Sequence, residues 1–316
     1  ITDLKSRGIS ILYISHRLSE VFQICDRISV LRDGGLVKTL AVADTSEEEG
    51  ISQMVGRSIE AFYPAKHPNA GEEILRVEDL SCGKKFQHIS FSVRGGEILG
   101  LSGLIGAGRS EVARALCGID RYEKGQVYLY GKKIRFNNSY EAIQSKIAYL
   151  TENRKTEGLF LKLAIKTNIV VTSLKTITRR KLVDRGKEES LTRKYIEILR
   201  IKTAGLQQKV LNLSGGNQQK VMVAKWLAIN PVVLFMDEPT RGIDVGAKTE
   251  IHYLMRELSN RGIGIVLISS ELPEIIGMCD RVIVMNEGLE TGELVGEEIT
   301  EENIMRLAAA KKNKIA

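Results

Sequence analysis

A gapless internal repeat is the feature of this 316-residue sequence that most constrains its fold. Residues 4–34 recur 254 positions later, so that Cys25-Asp26-Arg27, for example, corresponds to Cys279-Asp280-Arg281. A repeat of this length that stays in register indicates two copies of one domain. The sequence starts inside the first copy, without a Met, and we therefore expect a C-terminal fragment of a protein of about twice the length.

The composition between the copies predicts the domain boundaries. Residues 63–71 read YPAKHPNAG, and Pro, Asn and Gly are typical of turns and linkers. We predict the end of a first domain at 1–62, a linker at 63–71, a second domain at 72–310 and a basic tail at 311–316. Apolar runs predict strands at 9–15, 74–80, 89–93 and 98–101, and helical patterns are expected at 18–24 and 191–199.

Composition and charge argue against some classes of protein but do not by themselves assign a function. The sequence is 43% hydrophobic and 27% charged, as globular proteins are, and has no apolar run that could cross a bilayer. The net charge of +7 would suit nucleic acid or an anionic membrane, but we interpret its clusters at 179–181 and 311–314 as a solvated loop and a frayed terminus. The cysteines show no CxxC spacing, so reduced thiols are expected rather than metal ligands or disulfides.

A glycine-rich turn follows the strand at 98–101. Residues 103–110 fit the phosphate-loop spacing G-x-x-x-x-G-K-[ST], except that Arg109 replaces the lysine. Such glycines let backbone N–H groups surround phosphates, and the following helix adds its positive dipole. Ser110 is then placed to ligate Mg²⁺, while Arg109 keeps the charge but presents a wider planar group. The predicted nucleotide-binding residues are Gly103, Gly106, Ala107, Gly108, Arg109, Ser110 and Glu111.

Two further motifs follow in order. The sequence LSGG, followed by Asn and Gln, begins a helical pattern and resembles the signature of ABC ATPases, which implies that it binds the γ-phosphate held by a facing domain. The apolar run at 232–236 predicts a buried parallel strand that delivers Asp237 towards Mg²⁺, with Glu238 as the base that polarises the attacking water. Each motif alone could be a turn, a helix cap or a core strand, but chance explains poorly all three in this order. The predicted signature residues are Leu213, Ser214, Gly215, Gly216, Asn217 and Gln218.

With residues 237–248 and 268–274, these motifs make the chain resemble the tandem ABC ATPases of bacterial importers for ribose, galactose or xylose. The resemblance covers essentially the whole chain and implies an α/β P-loop NTPase fold of the ABC type. Its mostly parallel central sheet would carry an antiparallel β subdomain and an inserted helical subdomain. The cofactors implied are ATP and Mg²⁺. The implied location of the protein is the cytoplasmic face of the inner membrane. The implied partners are permease subunits docked near residues 158–160, the protein's own N-terminal ABC domain and, indirectly, a periplasmic or lipoprotein sugar-binding protein.

The resemblance also implies that the second nucleotide site is degenerate. The phosphate-loop arginine is usual in the second copy of this family. The family's switch histidine, which contacts the γ-phosphate, is His16 in the first copy, and the repeat aligns it with Ser270, which is too short for that contact. Because Glu238 is retained, slow hydrolysis is expected at this site. His16 and residues 214–216 would serve the other nucleotide site, whose phosphate loop belongs to the first copy and would lie upstream of Ile1.

Three more positions follow from the resemblance. Glu152 stands where a glutamine usually lies near Mg²⁺, and it would either approach the metal or turn away to pair with Arg154 or Lys155. The expected adenine-stacking aromatic near residues 82–83 is missing, and Phe86 is assigned to the core. Asp244 lies in the loop after the catalytic glutamate.

Two alternatives stay open. The importer could carry nucleosides or another small polar solute, because the cargo is selected by proteins outside this sequence. A soluble ABC protein acting on nucleic acid would need a long charged linker or a coiled-coil insertion. Neither is present in the sequence, so no nucleic-acid partner is expected.

Overall fold

The computed structural model describes residues 1–15, 18–32, 34–55, 62–66, 70–180 and 182–310. The chain divides into two compact units. The smaller unit is Ile1–Pro64 with Gly242–Tyr253, and the larger unit is Ala65–Arg241 with Leu254–Ala316. The predicted residues His16, Lys181 and 311–316 lie outside the described residues.

The smaller unit is built around a short β-hairpin. Its elements are α1 (Thr2–Ser6), α2 (Leu18–Ile24), β1 (Arg27–Arg32), β2 (Gly35–Ala41), a 3-10 turn (Val42–Asp44) and α3 (Glu47–Val55). Strands β1 and β2 pair antiparallel. Val21, Ile28 and Val30 form a small core between α2 and the hairpin.

The larger unit contains the remaining elements, apart from the first part of α10. The strands are β3 (Glu73–Cys82), β4 (Phe86–Arg94), β5 (Ile98–Gly103), β6 (Lys124–Leu129), β7 (Lys132–Ile134), β8 (Ile147–Leu150), β9 (Thr178–Arg179), β10 (Leu182–Val183), β11 (Val233–Asp237), β12 (Gly264–Ile268), β13 (Arg281–Asn286) and β14 (Leu289–Val295). The α-helices are α4 (Arg109–Leu116), α5 (Ser139–Gln144), α6 (Ile165–Val170), α7 (Leu174–Ile177), α8 (Arg185–Ile198), α9 (Gly215–Leu227), α10 (Val245–Asn260), α11 (Leu272–Met278) and α12 (Glu301–Ala309). A π-helical turn spans Arg154–Gly158, and 3-10 turns span Val171–Ser173, Val210–Asn212 and Gly296–Glu298.

One large sheet organises this unit, with strand order β7-β6-β3-β4-β14-β13-β5-β12-β11-β8. The five strands from β13 to β8 run parallel, whereas β7, β6, β3 and β4 pair antiparallel. The helices α6 to α9 lie in the chain between β8 and β11. The predicted fold class is therefore confirmed: a mostly parallel core, an antiparallel β portion and an inserted helical segment.

The repeat is visible in the bounds of the elements. Adding 254 to the limits of α2, β1, β2 and α3 gives those of α11, β13, β14 and α12. Even an irregularity recurs, because the register shifts between Val30 and Leu31 in one hairpin and between Val284 and Met285 in the other. The two copies therefore share local geometry as well as sequence.

The strand predicted at 9–15 is wrong. Residues 9–15 carry no strand, and Leu12 and Ile14 are 91% and 90% exposed. Their counterparts form β12, which pairs with β5 on one side and β11 on the other. A strand needs a neighbour for its backbone hydrogen bonds, and in the described part of the smaller unit the only paired strands are β1 and β2. The apolar pattern was right about residue type, but pairing decides the structure.

Several other expectations agree with the structure. The helices predicted at 18–24 and 191–199 correspond to α2 and α8, and the strands predicted in the second copy correspond to β3, β4 and β5. Cys117 and Cys279 are buried, Cys25 and Cys82 are partly buried, and all four are free thiols.

Among the described residues, no helix has the length and apolar character needed to span a membrane.

Candidate functional site

Polar residues gather where four neighbouring parallel strands end. Strands β5, β12, β11 and β8 lie side by side. Strands β5 and β11 end at Gly103 and Asp237, and strands β12 and β8 are followed by Ser269 and Thr151. The carboxyl ends of parallel strands meet at one edge of a sheet, where open α/β folds place their ligands. We call this the carboxyl edge.

The phosphate loop leaves β5 in a conformation that depends on glycine. Gly103, Gly106 and Gly108 have φ angles of 147°, 82° and 93°, which side chains rarely allow. A Cβ atom on Gly108 would also lie 2.7 Å from the carbonyl oxygen of Lys85. Gly108 is the N-cap of α4, so the unpaired N–H groups of that helix begin at the loop.

Arg109 turns inward rather than towards solvent. The side chain is buried, and its Nη1 atom donates a hydrogen bond of 2.8 Å to the carbonyl oxygen of Ser269, just beyond β12. Burial lowers the pKa of this guanidinium, while the carboxylates of Glu238, Asp237 and Glu111 raise it. The guanidinium therefore links the start of α4 to the residue that follows β12, and its role as a phosphate ligand stays a prediction.

Asp237 is the most deeply buried acid of the carboxyl edge, at 1% exposure. The hydroxyl of Tyr149 donates to its Oδ2 atom over 2.7 Å. Burial raises the pKa of Asp237, while the hydroxyls of Tyr149 and Ser110 and the charge of Arg109 act to lower it. The Oδ1 atom is buried without a hydrogen bond of normal geometry to any described residue.

Tyr149 was missed by the sequence analysis. It lies inside the apolar strand β8, where its ring packs in the core and its hydroxyl reaches Asp237 on β11. Burial and the neighbouring Asp237 raise the pKa of the phenol, so it remains a donor. A tyrosine in an otherwise apolar buried strand was the available signal, because a buried hydroxyl needs a partner.

Glu238 adopts a left-handed backbone conformation with a φ of 47°, which is strained for a glutamate. The side chain is half-buried, and its Oε2 atom accepts a 3.1 Å hydrogen bond from the hydroxyl of Ser270. Burial raises the pKa of Glu238, and the hydrogen bonds from Ser270 and the charge of Arg109 oppose that rise. The structure thus brings the predicted base and the predicted switch position into direct contact.

Glu152 turns to a partner that the sequence analysis did not consider. Its Oε1 atom forms an ion pair with Nη1 of Arg241. Arg154, one of the two predicted partners, donates to the carbonyl oxygen of Arg241 over 3.0 Å. The role of Glu152 as a metal ligand stays a prediction.

The signature residues form the start of α9. Ser214 is the exposed N-cap, and its hydroxyl accepts from the backbone and side-chain amides of Asn217 over 3.5 and 2.9 Å. Gln218 is buried, and its Nε2 atom donates to the carbonyl oxygens of Val210 and Leu213 over 3.2 Å each. The exposed end of the helix can therefore meet a ligand, while Gln218 holds the preceding turn. Leu213 and Gly216 are buried, and Gly215 is partly buried.

Asp244 and Phe86 have structural contacts. Asp244 belongs to the smaller unit, where its Oδ1 atom accepts from the backbone N–H of Ala247 over 2.9 Å and caps the start of α10. Phe86 is buried in the core of the larger unit, as predicted.

Comparison with known proteins identifies the family. Residues 86–241 match the model of the ABC transporter family. The ribose import ATP-binding protein RbsA of Bacillus subtilis is 48% identical over 308 residues, which cover 98% of this chain and 62% of that protein. RbsA 2 of Rhizobium meliloti is 50% identical over 312 residues, covering 98% of this chain and 61% of that protein. The chain therefore spans about three-fifths of the length of these relatives.

Solved structures share the fold. A nucleotide-free ATP-binding cassette from an ABC transporter has a TM-score of 0.64 at 22% identity and covers 76% of this chain and 100% of its own. The ADP conformation of another ABC transporter cassette has a TM-score of 0.61 at 25% identity, covering 75% of this chain and 95% of its own. Residues 86–241 therefore carry an ATP-binding cassette of the ABC transporter family.

Proposed function

We propose that this chain binds and hydrolyses ATP to energise the import of a sugar, as part of the ATP-binding subunit of an ABC importer. The observation that carries the proposal is the meeting of the phosphate loop, Asp237 and Glu238 at one carboxyl edge. The cargo is proposed from relatives named ribose import ATP-binding proteins and one named as a putative ribose/galactose/methyl galactoside import ATP-binding protein.

The residues present fit a nucleotide with its metal. The buried Oδ1 atom of Asp237 has no partner among the described residues, and the Ser110 hydroxyl lies beside this carboxylate. Asp237 and Ser110 would hold Mg²⁺, which supplies neutralising charge to the phosphates when bound. The glycines of the phosphate loop and the N-terminus of α4 would hold the phosphates themselves. For Glu152 to join the metal, it has to leave Arg241.

We further propose that this pocket holds ATP but hydrolyses it slowly. Burial raises the pKa of Glu238, which favours a general base near neutral pH. However, the Oε2 atom of this carboxylate already accepts from the hydroxyl of Ser270, and Nη1 of Arg109 donates to the carbonyl oxygen of Ser269. A base that is already hydrogen-bonded and a cation that is held by a backbone carbonyl together support impaired turnover.

The proposed partners follow from the importer function. Phe160 is 53% exposed and Leu163 is 46% exposed beside the helical segment, and we propose this apolar pair as the docking point for a permease at the cytoplasmic face of the membrane. Ser214 and His16 would serve a facing cassette. A sugar-binding protein outside the membrane would deliver the cargo.

Titration of the purified chain with ATP, with and without Mg²⁺, tests the nucleotide site. We expect Mg²⁺-dependent binding of modest affinity and phosphate release barely above background. Ser110→Ala should weaken the Mg²⁺ dependence, whereas Ser139→Ala, an exposed serine in the first turn of α5, should not. Fast steady-state turnover by the chain alone would contradict the proposed impairment, and absence of binding would contradict the site.

Cellular uptake tests the cargo. In cells that lack the full-length protein, uptake of labelled ribose should fall and return when the gene is restored. Loss of labelled nucleoside uptake with normal ribose uptake would overturn the sugar assignment.

A further inference from the structure

A segment that we call the edge loop, residues 151–160, leaves the carboxyl edge after β8. It is held near its far end by two buried polar side chains. Asn168 of α6 is fully buried, and its Oδ1 atom accepts from the N–H of Phe160 over 2.8 Å while its Nδ2 atom donates to the carbonyl oxygen of Phe160 over 3.0 Å. Lys225, in the last turn of α9, donates from Nζ to the carbonyl oxygen of Gly158 over 2.6 Å. The loop is therefore attached to both helices.

Lys225 is an unusual residue to find in this position. It is 7% exposed, and among the described residues no carboxylate pairs with it. Burial lowers the pKa of its amine to about 8, and the ring of Trp226 lies 4.7 Å from Nζ. Burying an amine is costly unless it is hydrogen-bonded, and an apolar side chain would avoid that cost. The bond to Gly158 is the feature that explains a lysine here.

Gly158 also approaches α9 closely through its backbone. A Cβ atom added to Gly158 would overlap the sulfur of Met222, which lies on α9 and is fully buried. Steric contact and the Lys225 hydrogen bond thus act on the same residue. A displacement of α9 must therefore move the edge loop with it.

Helix α9 joins two functional regions. Its 13 residues follow the exposed N-cap Ser214, and Lys225 lies about 16 Å from Ser214 along the helix axis. The edge loop carries Glu152 at the carboxyl edge and ends at the exposed Phe160. The Lys225–Gly158 bond is therefore the point at which α9 and the loop between the nucleotide pocket and Phe160 are linked.

We propose that Lys225 is a positioning residue that couples nucleotide binding at the carboxyl edge to the signature end of α9 through the edge loop. The proposal rests on the proposed nucleotide site. A bound nucleotide that orders the edge loop restrains Gly158, and Lys225 passes this restraint to α9. Without the amine, the pocket still binds nucleotide but the signature end no longer responds.

Hydrogen exchange with MgATP as the probe tests this coupling. Amide exchange is measured at residues 103–110, 153–158 and 214–218 in the whole chain, with thermal melting to confirm folding. Wild type should show slower exchange on MgATP addition at all three. In Lys225→Met, the protection at 103–110 should remain while that at 214–218 falls by about tenfold, as loss of a charge-assisted hydrogen bond predicts. Lys225→Arg, which keeps a donor, should resemble wild type.

Two further variants keep the test decisive. Lys220→Met is the matched control, because Lys220 is a buried lysine of the same helix whose amine donates to the carbonyl of Arg200 instead. It should keep full coupling. Gly158→Ala forces the edge loop and α9 apart, because its Cβ atom would overlap Met222, and leaves Lys225 itself unchanged. If thermal melting shows that it folds, it should also uncouple, which gives a second test where Lys225→Met does not fold.

The outcomes separate the two proposals. Retained protection at 214–218 in folded Lys225→Met, or an equal loss in Lys220→Met, overturns the role of Lys225 and leaves the nucleotide site standing. Absence of MgATP protection at 103–110 in wild type overturns the nucleotide site, and the coupling falls with it.

Discussion

Replacing Lys225 with methionine should change how the stability of the protein depends on pH. Burial lowers the pKa of Lys225 from 10.5 to about 8. Each unit of pKa difference between folded and unfolded states corresponds to about 1.4 kcal/mol, so the folded state bears about 3 kcal/mol for keeping this amine charged. That is a substantial part of the net stability of a typical domain, about 5–15 kcal/mol.

The sign of the effect follows from proton binding. Below about pH 8, the lysine is charged in both states and the whole unfavourable term is present. Between about pH 8 and 10.5, the unfolded chain binds more protons than the folded one, so the free energy of unfolding rises with pH. Lys225→Met carries no such group. Relative to this variant, wild type should therefore gain about 2 to 3 kcal/mol between pH 7.5 and pH 10.

Urea denaturation across this pH range measures the difference. Trp226 is the single tryptophan of the sequence and neighbours Lys225, so its fluorescence reports unfolding of this region. Lys225→Arg is the control, because a guanidinium stays charged over the whole range and should show no such gain. Parallel stability curves for wild type and Lys225→Met would refute the reasoning.

Three further predictions concern the nucleotide sites. In the full-length protein, Ser214→Arg should reduce transport more than Arg109→Ala does. Ser214 would face the nucleotide site of the first copy, which is expected to hydrolyse ATP normally, whereas Arg109 lies in the impaired second site. Equal losses of transport would contradict this division of roles between the two sites. His16→Ala should leave the melting temperature nearly unchanged and lower hydrolysis by about 10²-fold, and retained ATPase in the folded variant would count against a γ-phosphate contact. Tyr149→Phe removes a hydrogen bond that lowers the pKa of Asp237, so Mg²⁺-dependent ATP binding, titrated from pH 5 to 7, should require a higher pH than in wild type. An unchanged pH profile would argue against that bond.

Local sequence patterns predicted the fold well where an apolar run also has neighbouring strands to pair with. The apolar run before Asp237 and the glycine turn after β5 were readable because periodicity and turn chemistry are local properties. The run at 9–15 looked the same, but its partners decide whether it becomes a strand.

The side-chain contacts of the candidate site were harder to predict. Arg109 binds a backbone carbonyl 160 positions away, and any residue type can supply that acceptor. The pairing of Glu152 with Arg241 and of Tyr149 with Asp237 likewise depends on strand order, which brings β8 beside β11. The residues were predictable as candidates, whereas their partners required the tertiary structure.

The matching hairpins make the two copies interchangeable at the level of the backbone. Residues 27–41 and 281–295 share length, antiparallel pairing and the position of one extra residue, Val37 in one and Thr291 in the other. A graft of one hairpin in place of the other would preserve both junctions and the twist that such a bulge imposes. Yet the residue that lies 11 positions before each hairpin differs between the copies: it is His16 in one and Ser270 in the other. After the duplication, the backbone of the hairpin has therefore stayed the same in both copies, while the side chain at the candidate switch position has changed.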